Sequence, residues 1–156
     1  MSSLNLGQRP ADDAGYLEAM TAVVFMGGLN RQVVASKWEG FLTAFERFDV
    51  AQVADFTDVD VERLSEDPSI VRYKAKIQAT VENARQMHQL AQEHGSFSTW
   101  LGNLLEEKGV DETASELDAR FKYMSKESSR RYLYAVGKEI GEVSDKVRRK
   151  YGPSEA

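Results

Sequence analysis

Apolar residues in this chain recur every three or four positions over long windows and nowhere alternate with polar ones. A strand buried on one face needs alternation, whereas a helix buried on one face needs the longer repeat. Val34, Trp38, Phe41, Leu42 and Phe45 form one such stripe. Ile70, Tyr73, Ile77, Val81, Ala84, Met87 and Leu90 form a second, and Tyr132, Val136, Ile140, Val143 and Val147 a third. The chain is therefore expected to be all-α. Its 156 residues suit a single domain, which buries roughly two-thirds of the surface exposed by the unfolded chain. The expected boundaries are a flexible lead-in over 1–11, a helical domain over 12–151 and a tail over 152–156.

Caps and glycines divide the pattern into about seven to eight helices. Asp12 or Asp13 can cap a first helix that runs to Met26, where Gly27 and Gly28 stop it. Asn30 can cap a second helix that continues through Phe48. A short helix follows over 49–56. Thr57 or Asp58 can cap the next, with Glu62 completing its first turns. A long helix is expected from Ile70 to His94, ended by Gly95. Another starts at Ser96 or Ser98 and stops at Gly109, and a short one follows it. Ser125 can cap a last long helix that runs unbroken through 145.

Composition excludes several chemistries. The chain has no cysteine, so disulfides and thiolate metal sites are impossible and a reducing compartment is permitted. His88 and His94 lie too far apart for ligands on one helix face. No phosphate loop of Walker or dinucleotide type occurs, and no local Ser-His-Asp signature. Neither a metal nor a cofactor is expected. No apolar run is long enough to span a membrane and the N-terminus is polar, so a cytoplasmic protein is expected. Charge is uneven. Residues 120–150 carry ten Lys/Arg and four acids, a net +6, which leaves −11 for the rest of a chain whose total is −5. Such asymmetry suits either one anion-facing side or a solvated helix of mixed charge.

The wording of residues 28–85 goes further than the pattern. Gly28-Leu29, then Phe41, Phe45 and Asp49, then Val53 with "DVERL" at Asp60 to Leu64, then Asp67, Ile70, Lys76-Ile77 and "NAR" at Asn83 to Arg85 follow in order. This resembles the 3-methyladenine DNA glycosylase I family of the helix-hairpin-helix DNA glycosylase superfamily. The likeness extends from about Leu17 to Gly137.

The resemblance implies a protein of base excision repair that acts as a monomer on double-stranded DNA holding a damaged base. It would hydrolyse the N-glycosidic bond of an alkylated purine such as 3-methyladenine. Gly28 and Leu29 would form the loop that enters the duplex; packed inward, Leu29 would simply close a helix end. Glycine allows close backbone approach, and an apolar side chain can wedge between base steps. Lys122, Ser125, Lys126 and Arg130 would hold phosphate at the hairpin and the helix that follows it. The base pocket would draw on Tyr16, Val23, Phe25, Arg31 and Trp38, with Tyr123, Tyr132 and Tyr134 as further aromatic candidates. In the family a glutamate stands at the position of Val23 and a tryptophan at that of Arg31, and Cys and His hold zinc. Met124 and Ser125 replace the usual hairpin glycines. Asp145, in "EVSDKVRRKYG", has the order and spacing of a superfamily catalytic aspartate; it is equally a helix residue paired with neighbouring bases. A non-catalytic DNA- or protein-binding descendant of the fold is the alternative, and a helical scaffold without a DNA role is a third reading.

Overall fold

A computed structural model describes residues 3–154. Among them nine α-helices and one 3₁₀ turn occur, with no strand. The first helix, α1 (Asp13–Met26), is the hub. It starts at Asp12, whose carboxylate accepts the Gly15 N–H, and all but a few of its residues are buried. Its apolar residues therefore occupy every face, and no stripe distinguishes a core side from another side. Helices α6 (Lys74–His94), α7 (Phe97–Arg120) and α8 (Lys126–Ala135) surround it. Asp13 ties α7 to it by accepting the N–H groups of Phe97 and Ser98.

The second expected helix is broken. It divides into α2 (Arg31–Ser36) and α3 (Trp38–Ala44) at Lys37, and the 3₁₀ turn Glu46–Phe48 follows. Glu46, Arg47 and Phe48 all have positive φ, at 52°, 53° and 61°. Left-handed backbone costs a non-glycine residue about 1–2 kcal/mol. Burial offsets that cost, because the turn swings Phe48 back onto Trp38, at 5.5 Å between ring centroids. Trp38, Phe41, Phe45 and Phe48 are all fully buried and stack around one another. Periodicity alone cannot foresee this turn, since one continuous helix satisfies the same pattern.

Helices α4 (Val50–Ala54) and α5 (Asp58–Ser65) lead to α6. The α5 cap is Thr57 with Asp60 in a reciprocal capping box, rather than with Glu62. Ile70 is buried ahead of α6, which begins only at Lys74. Two residues of the "NAR" motif are ties. Arg85 donates to the carbonyls of Ala54 and Phe56 at 2.9 and 2.6 Å, which holds the end of α4 against α6. Asn83 ties α6 to the backbone of Lys122. Helix α7 is interrupted at Gly109 (φ 84°), the expected stop.

The last long helix is also broken. It ends at Ala135, and a separate helix α9 (Asp145–Tyr151) begins at Ser144, whose hydroxyl accepts the Val147 N–H. Gly137 and Gly141 have positive φ and interrupt the apolar repeat that joined the two. These two breaks add two helices, and α7 joins the two expected on either side of Gly109, so nine occur where about seven to eight are expected.

The first and last described segments are packed. Leu4 and Leu6 belong to the core, and Gly7 N–H donates to Ala135 O at 2.6 Å. The lead-in expected to be flexible is thus docked from Leu4 onward, because its two leucines are buried in the core and Gly7 bonds to the end of α8. Gly152 and Pro153 lie directly against Gly7. Residues 1–2 of the lead-in and 155–156 of the tail lie outside the described residues.

Candidate functional site

A cavity of about 430 Å³ opens where the end of α1, the start of α6 and the turn before α8 meet. Val23, Val24 and Gly27 form one wall, Tyr73 and Lys76 the second, and Tyr123, Ser125 and Ser128 the third. Each wall is fixed locally. The α1 wall ends at Gly27, and Gly28 at φ +88° turns the chain so that Leu29 packs, partly buried, against the core. A Cβ on Gly28 would meet nothing within 4 Å, so the position needs glycine for its backbone angle alone. Asn30 then caps α2 by accepting the Val33 N–H.

The third wall is the turn 121–125 between α7 and α8. Asn83, buried inside α6, grips its backbone from both sides. Its amide oxygen accepts the Lys122 N–H at 2.7 Å, and its amide nitrogen donates to Lys122 O at 3.1 Å. Tyr123 takes the left-handed conformation (φ 58°), so the tight turn forms without glycine. Ser125 caps α8 by accepting the Ser128 N–H, and Ser129 donates to Met124 O.

Lys76 joins the first two walls. It is a buried lysine, and its Nζ donates to Gly27 O at 2.7 Å. It lies 5.2 Å from the Tyr73 ring centroid and 5.8 Å from that of Tyr123. Burial, with Lys150 nearby, lowers its pKa below the ordinary lysine value. Both tyrosines are about half exposed at the mouth.

The structure sorts the sequence-derived candidates. Val23 and Ser125 line this cavity, and Gly28 and Leu29 continue from its Gly27 wall. Tyr16, Phe25 and Trp38 are core residues rather than pocket wall. Tyr16 packs edge-on against Phe97, Phe25 against Phe41, and Trp38 donates its indole N–H to Glu18 at 2.8 Å. A helix buried all round gives no sequence signal that separates its pocket residues from its core residues. Arg31 turns away and clamps the C-terminal segment, donating to Gly152 O at 2.6 Å, Ser154 Oγ at 3.0 Å and Arg149 O at 3.3 Å. Tyr132 and Tyr134 do not line the cavity either; the Tyr132 hydroxyl is buried and donates to Tyr16 O.

Asp145 is not in this site. It sits exposed in the first turn of α9 and pairs with Arg148 at 2.8 Å. The break at 136–144 sets α9 apart from α8 and leaves its first turn in solvent. Among the basic residues, Arg120, Arg130, Arg131 and Arg148 have carboxylate partners, Arg130 with Asp111 across the α7–α8 pair. Within 120–150, Lys122, Lys126, Lys138, Lys146, Arg149 and Lys150 have none among the described residues, so the unpaired cations of this segment lie on the turn, the 136–144 connection and α9. Sequence reasoning missed Lys76 and Tyr73 as site residues. Their signal was present: Lys76 is a charged residue on the apolar stripe of Tyr73, Ile77 and Val81.

The sequence profile of the methyladenine glycosylase family matches residues 5–140. The chain belongs to the methyladenine glycosylase family. Within that family, it is 40% identical over 70 residues to DNA-3-methyladenine glycosylase 1 of Escherichia coli K12, an alignment covering 45% of this chain and 37% of that protein. It is 26% identical over 83 residues to DNA-3-methyladenine glycosylase of Haemophilus influenzae, covering 53% and 45%. The chain thus spans less than half the length of these curated relatives. The fold extends further. Staphylococcus aureus 3-methyladenine DNA glycosylase I superposes with a TM-score of 0.75 at 26% identity, over 85% of this chain and 80% of that one. A variant 3-methyladenine DNA glycosylase I in complex with 3-methyladenine gives 0.76 at 26% identity, over 85% and 81%. Helix α9 lies beyond the part of the chain that the methyladenine glycosylase profile matches.

No helix among the described residues is long and apolar enough to cross a membrane. No group of three or more His, Asp or Glu among them could hold a metal ion.

Proposed function

We propose that this protein is a DNA glycosylase of base excision repair that hydrolyses the N-glycosidic bond of an alkylated purine such as 3-methyladenine in duplex DNA. The observation that carries this reading is the contiguity of three parts. The Gly27–Leu29 loop, the cavity and the Ser125-capped start of α8 adjoin one another. In use, the loop supports the opened duplex while the damaged nucleotide turns out into the cavity. Tyr73 and Tyr123 offer ring faces at the mouth. The first N–H groups of α8, with Lys122 and Lys126, receive a backbone phosphate as the hairpin of this superfamily does.

An N3-alkylated purine nucleoside is cationic, so its base departs as a neutral molecule and needs little protonation. Water adds to C1′ as the C1′–N bond breaks, and the proton that the water gives up passes to solvent. Burial, with Lys150 nearby, lowers the pKa of Lys76 in the cavity wall. Catalysis here rests on extrusion and desolvation of the leaving base, not on Asp145. The protein is expected to work inside the cell, as a monomer on double-stranded DNA.

One observation favours a second reading, a non-catalytic DNA- or protein-binding descendant of the fold. Val23 occupies the cavity wall, and no carboxylate lines it. Base release from methylated duplex DNA separates the two. The enzyme reading predicts release by the wild type, unchanged in Asp145→Asn. No release by the wild type, with release gained in Val23→Glu, establishes the second reading.

A further inference from the structure

A second cavity, of about 680 Å³, opens where α2, α8 and the end of α9 meet. Base release leaves it unused. Arg31, Tyr134, Arg148, Arg149, Pro153 and Ser154 line it, three arginines and no carboxylate. Bonds inside the chain hold its shape. Arg31 donates from Nη1 to Gly152 O and Arg149 O and from Nη2 to Ser154 Oγ, which fixes the end of α9 to the start of α2. Tyr151 is buried and anchors α9. Gly152 leaves room for Tyr134, since a Cβ there would lie 2.9 Å from the Tyr134 hydroxyl. Arg148 and Arg149 are exposed beside this anchor. Arg148 shares its charge with Asp145, and Arg149 has no carboxylate partner among the described residues.

Guanidinium groups gathered without a carboxylate select an anion, and their planar fork of N–H donors matches a phosphate. The position of the cavity says whose phosphate. Arg31 follows Leu29 by two residues, so the cavity starts where the Gly27–Leu29 loop ends. Lys150 lies near enough to Lys76, in the wall of the nucleotide cavity, for their charges to repel. Helix α9 thus borders both cavities, with Arg149 toward one and Lys150 toward the other. Lys122, Ser125 and Lys126 stand on a different element, the turn and start of α8. Helix α9 lies beyond the residues that the methyladenine glycosylase profile matches, so its cations are outside that likeness. We propose that Arg149, with Arg148 and Arg31 beside it, binds a backbone phosphate of DNA in this second cavity, and that Lys150 binds the next phosphate toward the nucleotide cavity. This rests on the reading that the first cavity receives an extruded nucleotide. The DNA would then be held on two elements, the start of α8 and α9, with the extruded nucleotide between them.

Binding of the full chain to a duplex with one reduced abasic site tests this, by fluorescence anisotropy between about 50 and 200 mM salt. Changing Arg149 and Lys150 together to glutamine should make the slope of log K against log salt shallower by about 2, with the thermal melt unchanged. The backbone of Arg149, which Arg31 holds, is unaltered in that variant. A neutral methylphosphonate is then placed at single positions on either side of the abasic nucleotide. At one of them it should weaken wild-type binding about tenfold, and at the same position it should weaken the double variant by less than about twofold. A slope and a methylphosphonate pattern that the double variant leaves untouched overturn the inference. Binding of inorganic phosphate that the same variant abolishes then assigns the cavity to a free anion. A wild type that binds the duplex with Arg149 and Lys150 uninvolved fails only here, and the glycosylase reading stands. A wild type that binds no duplex at low salt fails on both readings.

Discussion

Asn83→Ala gives the sharpest test of how the site is built. Asn83 makes two hydrogen bonds to the backbone of one residue, Lys122, from inside α6. The alanine variant leaves a partly buried N–H and C=O without partners. Each unsatisfied buried group costs about 1–3 kcal/mol. Both sit at the edge of the core, where water recovers part of the loss, so about 2–4 kcal/mol in total is expected. For a domain of this size, about 2–4 °C of melting temperature is lost per kcal/mol. A fall of about 4–16 °C should appear in a thermal melt followed by tryptophan fluorescence. Asn83→Asp discriminates the cause. It keeps the shape and the acceptor but turns the donor into an oxygen facing Lys122 O. If hydrogen bonding holds the turn, Asn83→Asp is at least as destabilising as Asn83→Ala. If only packed volume matters, it is mild. An aspartate variant within about 0.5 kcal/mol of the wild type would show that hydrogen bonding from Asn83 does not hold the turn.

Other expectations can be checked in the same way. Gly40 and Gly28 should behave differently when changed to alanine. A Cβ on Gly40 would lie 2.0 Å from Ser69 O, so Gly40→Ala must displace α3 or the 67–70 turn and should cost more than about 3 kcal/mol in urea unfolding. Gly28→Ala meets only its backbone penalty, about 1–2 kcal/mol. Arg31→Ala should free the C-terminal segment, read as faster amide exchange at 149–154 with little change in α1; equal protection would show that packing alone holds it. Glu18 supplies a pH test. Burial, partly opposed by the Trp38 hydrogen bond, raises its pKa above the ordinary glutamate value. The folded chain therefore binds this proton more tightly than the unfolded one. Its contribution to stability is full below the unfolded pKa and is lost as pH rises through the raised folded pKa. Glu18→Gln, which keeps an acceptor for Trp38, should gain stability relative to wild type as pH rises through that window. A difference independent of pH would contradict the shift.

The fold was legible in the sequence because its signals are local. The caps at Asp12, Asn30 and Ser125 and the stops at Gly27, Gly95 and Gly109 each act within one turn, and each stands where its residue type requires. The misreadings have two origins. The left-handed turn at Glu46–Phe48 is set by what Phe48 packs against, and a periodic pattern contains no distant partner, whereas the break between α8 and α9 falls at Gly137 and Gly141, local signals that the continuing apolar repeat outweighed. The site was legible only in part for the same reason. Val23, Gly28 and Ser125 could be named because the resemblance ordered them. Tyr16, Phe25 and Trp38 have the right chemistry, but their position on the buried side of α1 and α3 depends on packing. Lys76 was readable as a charge on an apolar stripe, and its meaning comes only from the carbonyl of Gly27, far away in sequence.

Salt-dependent binding to a plain duplex tests most directly that the loop, cavity and turn face DNA. Each phosphate contact contributes about −0.9 to the slope of log K against log salt. Measurable binding is expected at low salt, with a slope made shallower by about 2 when Lys122 and Lys126 are both changed to glutamine. No binding at low salt, or a slope that the double change leaves untouched, would contradict it.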